Sequence, residues 1–172
     1  MRKQKGFSLI ELLIVVAIIL IIAAIAIPNL MRARISANES SAASGIRTIN
    51  TGEVSYWTNW PAIGYSVALA DLGDAAGTCA AAVPTATNAC VIDVVLANNG
   101  VPAGSGKSGY SYTYGSAVGV AGPQFVTYHV ETNPLSLNQS GVKGFCAIQD
   151  AVVRFANPGP IALCDPTVTP LQ

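Results

Sequence analysis

The residues able to do chemistry are few and mostly scattered. The single histidine, His129, lies in an alternating stretch with no partner pattern for a Ser/His/Asp triad, so a strand-face histidine is expected. Cys79, Cys90, Cys146 and Cys164 include no Cys-x-x-Cys, and with one histidine they do not compose a zinc site. Glu39 and Glu53, fourteen residues apart on a helix, stand about 21 Å from one another, too far for a glycosidase acid/base pair. Both are expected at the rim of a packed face or internally satisfied. Gly104-Ser-Gly-Lys-Ser lacks the first glycine of a phosphate-binding loop at the required spacing and follows no strand. Tyr110, Tyr112 and Tyr114 could stack on bases, but only Lys107 is near, so strand packing is expected instead of a nucleic-acid platform. No catalytic, cofactor or metal site is expected, and no enzymatic activity.

One constellation stands apart. Arg2, Lys3 and Lys5 precede Gly6-Phe7-Ser8-Leu9-Ile10-Glu11, and sixteen apolar residues follow from position 12 to 27. A carboxylate inside such a span costs on the order of 2.5–3.5 kcal/mol on insertion scales, so Glu11 demands a function. A cation in the same low-dielectric layer would offset that cost. If the chain were cut after Gly6, the new α-amino group of Phe7 would be such a cation.

The element that must carry this constellation is a helix. Residues 7–27 number 21, about 31 Å as an α-helix, one hydrocarbon thickness. The three leading cations place the amino terminus in the cytoplasm and the rest of the chain outside. A secretory signal peptide fits poorly: the apolar run exceeds an h-region, and Ile-Pro-Asn-Leu-Met-Arg offers no small-x-small cleavage site. Of 172 residues 51% are hydrophobic and 10% charged, against roughly 25% charged in ordinary soluble domains. With one long apolar run, a polytopic membrane protein is excluded. Nine basic and nine acidic residues cancel, which argues against bulk nucleic-acid binding. The cancellation hides a split: residues 1–50 hold six basic residues against two acids, a net +4, and residues 51–172 hold three against seven, a net −4.

The Gly6-Phe7-Ser8-Leu9-Ile10-Glu11 segment, its basic leader and the apolar run resemble the start of type IV prepilins and of their relatives, the type II secretion pseudopilins. In that family a membrane aspartyl peptidase cuts after the glycine and N-methylates the new first residue. The resemblance therefore implies leader cleavage between Gly6 and Phe7, N-methylation of Phe7, and a filament-assembly role for Glu11 against the amino terminus of an adjacent subunit. Pro28 occupies a place where family helices often carry a proline, implying a helix kink or local melting there. The implied partners are further copies of the chain in a homopolymeric filament, the prepilin peptidase/methyltransferase and inner-membrane assembly machinery. The implied location is the inner membrane for the precursor and a cell-surface pilus after assembly. A pseudopilin is the alternative; against it, Glu131, Asp150 and Asp165 are scattered and form no Asp-x-Asp calcium run. A membrane-tethered binding protein or enzyme is the third reading, and it requires Glu11 to be dispensable.

Beyond the apolar run the pattern stays helical to about Thr58. Ile35, Ala42, Ile46, Ile49, Trp57 and Trp60 fall on one face, opposite Ser44, Thr48, Thr51 and Ser55. Gly45, Gly52 and the Ser and Thr residues make this a poor helix by propensity, so packing must hold it. After Trp60-Pro61 the composition changes, with nine of ten prolines and all four cysteines in residues 61–172. Strands are expected over 109–115, 124–131, 144–149 and 151–155, a short helix after Cys90, and a loop over 75–89. The expected class is α+β: a long amino-terminal helix, half transmembrane and half amphipathic, on a small antiparallel head, the ladle that pilin resemblance also implies. Its segments are a leader (1–6), a transmembrane and assembly half-helix (7–27), an amphipathic half-helix (28–60) and a head (61–172). Cysteines outside a membrane favour disulfides. Of three possible pairings the loop-local one, Cys79–Cys90 with Cys146–Cys164, is the expectation.

Overall fold

A computed structural model describes residues 8–73, 79, 83–98, 106–119 and 122–171. Helix α1 runs Leu9–Asn59 and two one-turn helices follow, α2 (Leu69–Leu72) and α3 (Val94–Ala97). Strands β1 (Tyr110–Val118), β2 (Phe125–Pro134), β3 (Gly144–Ile148) and β4 (Arg154–Ala156) complete the chain. Residues divide into two compact units, Met1–Arg34 and Ile35–Gln172.

In the first unit the described helix buries nothing. Leu9, Ile10, Leu12, Leu13 and the branched residues through Ile27 are all exposed. An 18-residue window of α1 has a mean hydropathy of 3.3 and is long and apolar enough to cross a membrane. Pro28 lies inside the helix. Having no N–H, it leaves the carbonyl of Ala24 without its i+4 donor.

The second unit is an α+β head built on residues 35–59 of α1. The four strands form an antiparallel meander in the order β1-β2-β3-β4. Alternation puts Tyr110, Tyr112, Tyr128 and Val130 on the face that meets Ala42, Ile46, Ile49 and Tyr56 in one cluster. Gly45 permits the close approach: a Cβ there would stand 2.3 Å from the Tyr112 hydroxyl. The deep aromatic of α1 is Tyr56, fully buried, with its hydroxyl donating to Ala86 O at 2.7 Å. Trp57 and Trp60, expected on the packed face, are only half-buried. Their neighbour wins because the phenol is sheathed by the core and its polar end finds a carbonyl.

The helix ends at Asn59, before Pro61. Gly64 then turns the chain with φ +88°, a left-handed conformation, where a Cβ would lie 2.3 Å from Phe125 O. That tight passage lets Phe125 N–H donate to Ile63 O and Tyr65 N–H to Phe125 O, both at 2.8 Å. α2 was not expected, since one turn is too short to show a period; Ala68 N–H donates to Asp71 Oδ2 at 3.0 Å there. Asp93 caps α3 by accepting from Val95 and Leu96 N–H. β4 begins at Arg154, later than the sequence suggests, because Ala151 takes φ 56° in a turn closed by its N–H on Ile148 O. Much of 75–89 lies outside the described residues, as do Gly104 and Ser105.

β3 is buried along its whole length. Its outer face is covered by the carboxyl-terminal segment, where Ile161 and Cys164 cluster with Cys146 and Ile148. The segment is clamped from β2. Asn133 Nδ2 donates to Ile161 O at 2.8 Å, Ile161 N–H donates to Asn133 Oδ1 at 2.7 Å, and Cys164 N–H donates to Glu131 Oε1 at 3.0 Å.

Candidate functional site

The described chain begins at the constellation singled out above. Ser8 is the last non-helical residue before Leu9, and its N–H donates to Glu11 Oε2 at 2.9 Å. Leu12 N–H donates to Ser8 O at 3.3 Å and closes the first turn. Glu11 thus stands at the third helical position and occupies an otherwise unpaired amide, half of a capping box. The Ser-x-x-Glu spacing before an apolar run was the available signal for this. Only one carboxylate oxygen is used, and Glu11 remains exposed. Gly6 and Phe7 lie outside the described residues.

The head holds a second carboxylate with a different task. Glu53 is fully buried. Its Oε1 accepts from Ser66 Oγ and from the Tyr114 hydroxyl, each at 2.6 Å, and its Oε2 accepts from Ser66 N–H at 3.0 Å. One side chain of α1 therefore ties the post-helix loop and β1. Burial raises its pKa above 4.5, opposed by those three hydrogen bonds. Burial and the adjacent carboxylate also push the Tyr114 hydroxyl far up, so it stays a donor at physiological pH. Glu39, by contrast, accepts from Val142 and Lys143 N–H at 3.1 and 3.2 Å and faces Lys143 Nζ at 3.6 Å. Both glutamates are satisfied structurally, and neither adjoins the other.

Remaining candidates disperse. His129 is half-buried on β2 opposite Gly115, whose Cβ would lie 2.6 Å from the imidazole. Lys107 forms an ion pair with Asp93 at 2.6 Å. Cys79 is bonded to Cys90, and Cys146 to Cys164, each pair with Cα atoms 5.7 Å apart. Among the described residues no group of three His, Cys, Asp or Glu side chains could hold a metal ion.

Residues 1–27 match the prokaryotic N-terminal methylation motif. The chain is prepilin-like there. Over part of its length the chain is similar to two curated proteins. The type IV wide pilus major component PilA4 of Thermus thermophilus is 65% identical over 40 residues, 23% of this chain and 30% of that relative. The type IV major pilin protein PilA of Myxococcus xanthus is 43% identical over 56 residues, 33% of this chain and 26% of that one. The matches thus span under a third of either relative's length. No solved structure matches. The prepilin motif and the capped helix start at Ser8 are therefore the same stretch of chain, and the head lies beyond what the motif covers.

Proposed function

We propose that this chain is a structural subunit of a type IV pilus, assembled from processed membrane precursors through its amino-terminal helix. The observation that carries the reading is the methylation motif over residues 1–27, joined to a helix whose apolar side chains are uncovered all round. Such a surface needs lipid before assembly and neighbouring helices after it. In this reading residues 1–6 are the leader, 7–27 the membrane and assembly segment, 28–60 the amphipathic half-helix and 61–172 the head. The prepilin peptidase cuts between Gly6 and Phe7 and methylates Phe7; the amino terminus is cytoplasmic and the head outside. Glu11 keeps one oxygen on Ser8 N–H and offers the other to the Phe7 ammonium of an adjacent copy. Pro28, with the Ala24 carbonyl unpaired, is where the helix loosens on entering the filament. The head's disulfides suit an exported surface, and the chain's role is structural, not enzymatic.

Mass spectrometry of the amino-terminal peptide from sheared filaments tests this. The expected peptide begins with N-methyl-Phe7, the loss of Arg2, Lys3 and Lys5 taking the net charge from 0 to −3. An intact Met1, or a cut beyond Ile27, overturns the reading. Recovery of the processed chain only in short envelope-bound assemblies, in a host making surface pili, would favour the pseudopilin alternative.

A further inference from the structure

The sheet covers one face of α1 in the head, and the opposite face is open. Three concavities of about 460, 320 and 310 Å³ flank the exposed side of the helix, walled in part by head residues (Val91 in the first, Lys143, Phe145 and Leu171 in the second, Ala151 in the third), and Arg47 lines all three. Three hydroxyls beside it are committed to the helix: Ser40 donates to Ser36 O, Thr48 to Ser44 O and Thr51 to Arg47 O, at 3.0–3.1 Å. The guanidinium is the charged donor of this face, and its five N–H groups suit a carboxylate. Lys107, Lys143 and Arg154 each pair with an acid, whereas Arg47 pairs with none among the described residues.

What would fill this face must be acidic, and a polyanion fits poorly. Residues 35–172 hold eight acids against four cations, which repels one, and a single free arginine neutralises few phosphates. The chain itself supplies a suitable acid. Among the described acids of residues 35–172, Glu39, Asp93 and Asp150 are paired; Glu53 and Glu131 are buried; Asp71 is turned back on Ala68 N–H. Asp165 is exposed in the carboxyl-terminal segment; its Oδ1 accepts from Thr167 N–H and hydroxyl, and it lies in the field of Arg154, whose own ion pair is with Asp150. Leu163, 62% exposed, stands two residues away, matching apolar Val54 and Val91 at the edges of the concavities.

We infer that the open face of α1 around Arg47 receives the carboxyl-terminal segment of a second copy of this chain, with the Asp165 carboxylate of that copy on the Arg47 guanidinium. A contact between two different patches of identical chains is heterologous, and repeated it generates an open filament instead of a closed dimer. The inference rests on the pilus reading and assigns one of its lateral contacts.

The test is a charge-swap cycle in the host: wild type, Arg47→Glu, Asp165→Arg and the double variant, each read for processed chain in membranes and for sheared filaments. Arg47 and Asp165 are both exposed, so processing and membrane levels should match wild type. Each single reversal should lower filament yield about tenfold or more, and the double variant should recover most of it. Arg47→Gln should fall between, and wild-type filaments should shed subunits faster in high salt. Wild-type yield from Arg47→Glu, or a double variant no better than the singles, overturns the contact while leaving the pilus reading intact. A wild-type chain that is never cut or never enters filaments overturns both.

Discussion

Glu53 offers the sharpest test of how the head is held. Three donors converge on a carboxylate with 0% exposure, and hydrogen bonds to a charged group are worth about 1.5–3 kcal/mol each. Glu53→Ala should nevertheless cost less than their sum. The Ser66 and Tyr114 hydroxyls are 2.9 Å apart, and the Tyr114 hydroxyl lies 3.0 Å from Ser66 O, so both can re-pair. Only Ser66 N–H is orphaned by necessity, at roughly 1–3 kcal/mol, with the lost packing added, for about 3 kcal/mol overall. The Glu53→Gln variant isolates the charge. It keeps the shape, and its amide NH₂ faces donors, a pH-independent cost of about 1–2 kcal/mol. Burial holds the native carboxyl above its ordinary 4.5, with Asp71 adding repulsion. The folded chain therefore binds more protons than the unfolded one between 4.5 and the raised value. Stability from this group is fully present below pH 4.5 and is lost as pH rises through the native value, by at most about 1.4 kcal/mol per pH unit. Wild type minus Glu53→Gln should thus decline with rising pH and then level off. Guanidinium unfolding of the full, oxidised chain in detergent, followed by Trp57 and Trp60 fluorescence from about pH 4 to 8, measures it. A difference that is flat or rises with pH refutes the account of a carboxyl strained by burial.

Three further outcomes follow from the same geometry. Gly45→Ala should destabilise the head by about 1–2 kcal/mol in the same assay, because the clash with the Tyr112 hydroxyl outweighs the propensity gain of about 1 kcal/mol; adding Tyr112→Phe should restore part of it. Replacing Cys146 and Cys164 by serine should cost about 3 kcal/mol for a loop of sequence separation 18, and limited proteolysis should then clip first beyond Phe155, though Asn133 and Glu131 still hold the segment. Glu11→Val should be inserted and cut after Gly6 but be scarce in sheared filaments, and Glu11→Gln should also assemble poorly; wild-type filament yield from either removes Glu11 as the assembly contact.

Much of the architecture was legible because it rests on local periodicity. The apolar run needed only counting, the Tyr-x-Tyr-x-Tyr alternation placed β1, and composition after Trp60 separated head from helix. What stayed hidden depends on partners distant in sequence. Projection at 100° per residue cannot decide between Tyr56 and Trp57. The choice is made by Ala86 O, thirty residues on. Glu53 could be read as satisfied, but the groups satisfying it sit 13 and 61 residues away. The clamp on the carboxyl-terminal segment uses the outward side chains of β2, Glu131 and Asn133, which an inward-facing hydrophobic pattern passes over. At the amino terminus the omission was different: Ser8-x-x-Glu11 is itself a local signal, masked because the depth of the carboxylate points to charge before capping.

That capping bond changes how Glu11 should be weighed. An unpartnered carboxylate in a bilayer costs on the order of 2.5–3.5 kcal/mol, so deleting it would be expected to favour insertion by that amount. Here the same group holds Ser8 N–H, and removing an amino-terminal cap costs about 0.5–2 kcal/mol of helix stability. The amide it releases sits at the same depth and must find another acceptor. The two effects oppose each other, so Glu11→Val should insert only slightly better than wild type, by about 1–2 kcal/mol. Glu11→Gln loses the charge and keeps an acceptor for Ser8 N–H, but its amide still has to be desolvated, so it should insert between wild type and Glu11→Val. Because one oxygen suffices for the cap, the other is free to meet a cation without fraying the first turn. In the proposed filament Glu11 would therefore serve its own helix and a neighbouring amino terminus at once, with no change at the first turn.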